Sequence, residues 1–226
     1  MKAKTKFKPI LFSYEMAKAN RLGNKTQTRR THNLNKFNEN PDSWFITNAD
    51  NDTFVLTDRN FSVEVKSKYS PGDVLWIKET FAEIDVWPFT VYRADYERTE
   101  KKREINVKKW KPSIFMPMDR CRQWVEIISV SLERLASITE SESISEGIIQ
   151  DPDYRGYAHY NDGKIVYNHY DCAIDSFKSL WCSINGPGSF VKNPWVFCYK
   201  YKVIEQPKEW SDYLNKIAKR AKVKKH

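Results

Sequence analysis

The densest grouping of reactive side chains lies between Lys18 and Arg30, where Lys18, Arg21, Lys25, Arg29 and Arg30 stand with no acid among them. Gly23 falls inside this run, and Thr26 and Thr28 follow it. A glycine turn presents backbone amides, the threonines present hydroxyls and the cations supply charge. That combination suits a phosphate or another polar, electron-rich ligand. A solvated basic helix end has the same composition, so the run alone leaves both readings open.

Other candidates lie further along the chain. Arg120 and Arg122 flank Cys121; at strand spacing they share one face, either reaching a phosphate or pairing with acids of a neighbouring strand. Trp76, Trp87, Tyr92 and Trp124 are aromatics of the kind that stack on bases in single-stranded nucleic-acid sites. With eight Trp in the chain, packing is the competing role, and Met116, Met118 and Trp124 read as core. Cys121, Cys172, Cys182 and Cys198 are far apart, with no Cys-x-x-Cys and no histidine at zinc-knuckle spacing, so they read as free thiols. His159 and His169 have no partner at metal-ligand spacing and read as loop residues. No metal and no organic cofactor is implied.

These residues need elements to hold them. Ser13 to Leu22 predicts a short helix, capped by Ser13 and ended by a left-handed turn at Gly23. The Asn-, Asp- and Thr-rich stretch from Asn33 to Asn60 reads as an extended excursion or weak hairpin outside the core. The turn Ser70-Pro71-Gly72-Asp73 precedes a core strand, Val74 to Ile77, and Phe89 to Ala94 and Gln123 to Leu132 read as further strands. Thr139 to Glu142 has capping-box spacing for a helix closed by Gly147. From Asp171, the apolar stripe Ile174, Phe177, Trp181 and Ile184 predicts a third helix, stopped by Gly186-Pro187-Gly188. Trp195 to Val203 is the final strand, and Trp210 to Val223 has a helical period with a basic outer surface. The class is α+β: a small β-barrel or curled sheet with helices at its mouth and long insertions.

At 226 residues, with 40% hydrophobic and 30% charged residues, the chain suits one ordinary domain and excludes collagen-like or wholly disordered structure. No apolar run reaches membrane-spanning length and the start lacks a secretory pattern, so no membrane partner is expected. The net charge is +9, of which residues 1–8 carry +4 and residues 207–226 carry +5, leaving 27 basic and 27 acidic residues between them. The excess therefore sits at the ends, and selectivity for any polyanion must come from the balanced middle.

Gly23, Lys25, Thr28 and Arg30 stand in the spacing of the ASCH-domain signature, and the chain resembles that family of PUA-like barrels. Pro71-Gly72-Asp73, the apolar strand after it and Glu79 match the family's second element, a strand ending in an acid that faces the cavity. A closer likeness is to phage- and prophage-encoded ASCH proteins, through Lys8 to Ser13, Trp110 to Pro117 and Leu180 to Gly186. Phe115 stands where those proteins often carry a histidine. The resemblance implies one ASCH domain over residues 1–206, with insertions near 33–66 and 150–170, then a basic helix or tail over 207–226. It also implies a cytoplasmic protein, in the bacterial host if phage-encoded.

Some compact ASCH proteins remove the acetyl group from N4-acetylcytidine with a Lys, a Thr and a Glu; others are linked to RNA binding or cleavage. By position, the resemblance assigns the catalytic roles to Lys25, Thr28 and Glu79; the residues themselves offer Gly23, Arg29, Arg30, Arg120 and Arg122 as substrate or phosphate contacts. A threonine hydroxyl needs a base, and a lysine serves only when burial or neighbouring cations lower its pKa. Glu79 would orient the substrate or protonate the departing amine. Each residue also has a plainer role open to it, with Lys25 holding phosphate, Thr28 capping a helix and Glu79 paired with Arg30, and a non-catalytic nucleobase or RNA binder is the alternative to the hydrolase. The expected partner is a nucleoside or single-stranded RNA; a protein partner is not specified.

Overall fold

The computed structural model describes residues 7–85, 90–96, 107–150, 156–161 and 164–215. Strand β1 (Phe7–Leu11) leads to helix α1 (Tyr14–Arg21), β2 (Gln27–Arg30) and a single-turn α2 (Asn35–Asn38). Then come β3 (Phe45–Asp50), β4 (Thr53–Thr57), β5 (Ser62–Lys66), β6 (Val74–Lys78), β7 (Phe81–Glu83) and β8 (Thr90–Tyr92). The long β9 (Trp124–Arg134) precedes α3 (Glu140–Ser145), the hairpin β10 (Tyr157–Asn161) and β11 (Lys164–Tyr170), α4 (Ala173–Asn185) and β12 (Trp195–Ile204). The fold is mixed α+β, with sheet predominating. Among the described residues the strands form open sheets, and no strand order closes into a barrel.

The chain divides into two compact units. The first comprises Met1–Lys18, Val74–Glu126 and Val203–His226. Its sheet runs β1-β6-β9: β1 lies parallel to β6, pairing Phe7 with Val74 and Leu11 with Lys78, and β6 is antiparallel to β9 through Trp76 and Trp124. Four consecutive buried residues in β6, Val74 to Ile77, are what a strand covered on both faces requires. Phe7, Val74, Trp76, Trp124 and Trp210 make its core. Trp210 opens a helix described from 210 to 215 and sits edge-on to Phe7 and Trp124, with centroids 5.1 and 5.7 Å away. The beginning of the basic C-terminal segment is thus anchored by an aromatic; residues 216–226 lie outside the described set.

The second unit comprises Ala19–Asp73 and Ile127–Lys202. Its sheet runs β9-β12-β2, with β12 antiparallel to β2. The Asn33 to Asn60 stretch is more structured than its polarity predicts: it supplies α2 and most of the antiparallel meander β3-β4-β5, and buries Leu34, Phe37, Phe54 and Leu56. Its apolar residues are few, but Phe54 and Leu56 alternate along β4 and so share one face. The Tyr-rich stretch containing His159 is likewise a hairpin, and its Ala158 and Tyr160 pack with Phe177, Leu180 and Trp181 of α4. Ile184, predicted on that stripe, is exposed at the end of the helix.

Candidate functional site

The basic run is positioned by the way α1 ends. The Ser13 hydroxyl accepts the Met16 amide at 3.3 Å, and Gly23, at φ +78°, turns the chain out of the helix. A side chain is disfavoured in that left-handed conformation, which explains glycine there. Beyond the turn the backbone is extended: Lys25 bridges Glu146, Thr26 donates its amide to Ser145, and β2 pairs Thr28 with Tyr199 and Arg29 with Cys198. Successive side chains on extended backbone leave opposite faces, and this decides what the signature residues can do.

Lys25, Gln27 and Arg29 all turn toward α3 and its surroundings. Lys25 is fully buried, its Nζ donating to the Glu146 carbonyl at 2.6 Å and to Glu146 Oε2 at 2.9 Å. Gln27 Nε2 donates to the Glu142 carbonyl at 2.8 Å. The Arg29 guanidinium, also buried, donates from Nε to Glu133 at 2.8 Å, from Nη1 to Glu146 at 3.1 Å and from Nη2 to Glu142 at 3.0 Å. Glu133 comes from the end of β9, Glu142 from α3 and Glu146 from the residue that caps α3; the capping box of α3 forms as predicted, with Thr139 and Glu142 each bonding the other's backbone amide. Gly147 closes the element at φ +91°, where an added Cβ would stand 2.8 Å from the Ala19 Cβ and 3.0 Å from the Lys25 Cβ.

This cluster fixes the electrostatics of the second unit. Burial drives the Lys25 pKa down, opposed by the Glu146 carboxylate. Burial also works against the Arg29 charge, but Cys198 and the three carboxylates outweigh it and hold its pKa above the ordinary value. Glu133 is pushed up by burial despite Arg29. The Cys198 thiol is pushed up to about 12, chiefly by burial, and is therefore protonated and unreactive at neutral pH.

Thr28 and Arg30 leave the other face of β2, with Phe197 and Tyr199 as their cross-strand partners. Tyr199 packs edge-on to Tyr69, centroids 5.2 Å apart. Thr28 is wholly buried, and among the described residues its Oγ1 has no hydrogen-bond partner. Lys25 and Thr28, close in sequence, are thus on opposite faces of one extended segment.

Glu79 belongs to the first unit and is also fully buried. Arg122 holds it in a two-pronged pair, Nε to Oε1 and Nη2 to Oε2, both at 2.8 Å, and Gln123 Nε2 adds a bond to Oε1 at 3.0 Å. The same guanidinium pairs with Asp95 and lies 3.8 Å from the Tyr92 ring centroid. These contacts, with Asp95 beside Glu79, hold the Arg122 pKa above its ordinary value although burial opposes them. Arg120 ends a 3-10 turn, so it and Arg122 do not flank Cys121 on a strand; the Arg120 carbonyl accepts the Tyr92 hydroxyl at 2.7 Å. Burial pushes the Cys121 thiol up to about 12. Trp76 and Trp124 are core, as is Met116, while Phe115 is exposed and Trp87 lies outside the described residues.

Sequence reading passed over Glu133, Glu142 and Glu146. Glu142 and Glu146 are four residues apart, in the first turn and just beyond the end of a helix whose capping box was legible, and that spacing places both on one face. An acidic helix face balancing an acid-free basic run was the available signal. Among the described residues no group of three or more His, Cys, Asp or Glu side chains could hold a metal, and no helix is long and apolar enough to cross a membrane. Comparisons of the chain with protein-family models, with characterised proteins and with solved structures return no match.

Proposed function

We propose that the chain is an ASCH-type protein that binds a nucleoside or single-stranded RNA without changing it chemically, on a PUA-like barrel elaborated by insertions. The helix, glycine turn and extended basic segment from Tyr14 to Arg30 support the ASCH assignment, as does the Val74–Lys78 strand leading to Glu79. The observation that carries binding over hydrolysis is the opposition of Lys25 and Thr28 across one extended segment, with Lys25 bonded to Glu146. A general base must reach the proton it removes, within about 3 Å. Lys25 instead anchors the segment to Glu146, and the Thr28 hydroxyl, buried and without a hydrogen-bond partner among the described residues, is a bond that a base edge takes up only when binding opens that face of β2.

The test is a titration of labelled single-stranded RNA. The reading predicts binding that weakens as salt rises, because phosphate contacts release counterions. Thr28→Val, nearly isosteric, weakens it several-fold while the fold is retained. Binding that is absent, or that ignores salt, would overturn the reading.

A second reading, the amidohydrolase of N4-acylated cytidine, is favoured by one specific observation. A lysine whose pKa is lowered by burial stands three residues from an unbonded threonine hydroxyl, the two chemical states that activation of the nucleophile requires. It predicts conversion of N4-acetylcytidine to cytidine that is lost in Thr28→Ala.

A further inference from the structure

A group of side chains in the first unit stands apart from every residue assigned above. Arg93 places its guanidinium carbon 5.0 Å from the Tyr14 ring centroid and 5.8 Å from that of Trp110, and Tyr96 meets Trp110 with centroids 5.4 Å apart. Trp76, Trp124 and Trp210 of the same unit are 2 to 5% exposed and make core; Tyr14, Arg93 and Trp110 are half-buried, and Tyr96 is 36% exposed. Here three aromatics and a planar cation gather at the surface.

Their backbone is firmly held. Arg93 opens a short 3-10 turn, its amide bonded to the Thr80 carbonyl at 2.9 Å, and Ala94 beside it is buried. Lys111, next to Trp110, exchanges backbone hydrogen bonds with Phe81 of β7 at 2.7 and 3.2 Å. Of the cations nearby, Arg122 is paired with Glu79 and Asp95, and Lys111 with Glu83. Lys108 and Lys109 are exposed and stand immediately before Trp110 in the chain. They place positive charge beside these rings.

From these observations we infer that Tyr14, Arg93, Tyr96 and Trp110 form a base-stacking subsite for single-stranded nucleic acid, with Lys108 and Lys109 receiving the adjoining phosphates. The inference rests on the proposed reading of the chain as a nucleoside or RNA binder and names the surface that holds the strand. Unpaired bases stack on exposed aromatic faces and on the guanidinium plane, and each such contact is sequence-tolerant because every base has a π-face. The 2′-hydroxyl takes no part in stacking, so RNA and DNA strands both bind.

The experiment is fluorescence anisotropy of a labelled 12-residue single strand, RNA and DNA in separate arms, with unlabelled duplex as competitor. Trp110→Ala weakens binding about tenfold, in line with the stacking energy of a single base, and Tyr96→Ala several-fold. Arg93→Lys also weakens it, although charge is retained. Circular dichroism melts establish that each variant is folded. Should Trp110→Ala fail to fold, photocrosslinking of the wild-type chain to a 5-bromouridine-bearing strand decides, with crosslinks expected at Trp110 or Tyr96. Affinity unchanged within twofold in Trp110→Ala and Tyr96→Ala, crosslinks confined to other regions, or a duplex that competes as well as a single strand would overturn the subsite. A wild-type chain that binds no strand removes the proposed function as well, whereas one that binds with unaltered variants removes only the subsite.

Discussion

Each unit buries an ionisable side chain that the ASCH resemblance marks as catalytic, and each answers that charge in its own way. In the second unit Lys25 shares Glu146 with Arg29, and Arg29 in turn gathers Glu133 and Glu142, so that two cations are wrapped by three carboxylates. In the first unit Glu79 has one cation, Arg122, whose side chain is 22% exposed and divided between Glu79 and Asp95. The second arrangement lets water reach the cation; the first seals both partners, Lys25 at 0% and Glu146 at 2% exposure. A charge taken out of water costs several kcal/mol unless its partner is well placed. The sealed pair therefore leaves the fold little tolerance for losing either member, and a side chain so committed is poorly suited to exchange protons with a substrate.

The comparison is broken most forcefully at Glu146. Glu146→Ala strands the Lys25 ammonium in a dry site and loses about 3–5 kcal/mol in urea unfolding. An effect below about 1 kcal/mol would mean that Lys25 reaches another acceptor and is not locked. In the first unit Arg122→Ala costs less, roughly 1–3 kcal/mol, because truncating the partly exposed Arg122 opens a path for water to the buried Glu79, which keeps its bond from Gln123. Equal losses from the two substitutions would erase the distinction between the units.

The smallest effect is one of pH. Burial raises the Glu133 pKa above its ordinary value of 4.5, so the folded chain holds that proton more tightly than the unfolded chain does. The contribution of Glu133 to stability is thus fully present below the unfolded pKa and is lost as pH rises through the folded one. Relative to Glu133→Gln, the wild-type chain gains stability as pH falls from 7 towards 4.5. Parallel unfolding curves for the two at both pH values would show that the charge of Arg29, and not burial, controls this carboxylate.

Local codes made much of the fold legible. Ser13 and Gly23 bracket α1, the Thr139 capping box starts α3, the turn before Val74 launches β6, and the apolar stripe from Phe177 to Trp181 marks α4. What escaped was set by distant pairing. The segment after Gly23 read as a helix exit, and only its pairing with Glu146 and with β12, more than a hundred residues away, makes it extended and sends Lys25 and Thr28 to opposite faces. Once the segment is known to be extended, the separation of three residues forces that result. The partners of Glu79 and Lys25 were illegible for the same reason: Glu79 takes Arg122 and Gln123, and Lys25 takes Glu146, all distant along the chain. Stacking residues were sought among Trp76 and Trp124, which the core consumed, because sequence gives aromatic content without exposure.

The most direct test of binding without chemistry is mass analysis of N4-acetylcytidine and longer N4-acyl analogues after incubation with the purified chain. The account predicts unchanged nucleosides from preparations that bind single-stranded RNA. Release of cytidine by the wild-type chain, abolished in both Lys25→Ala and Thr28→Ala, would contradict it and restore Lys25 and Thr28 as a catalytic pair.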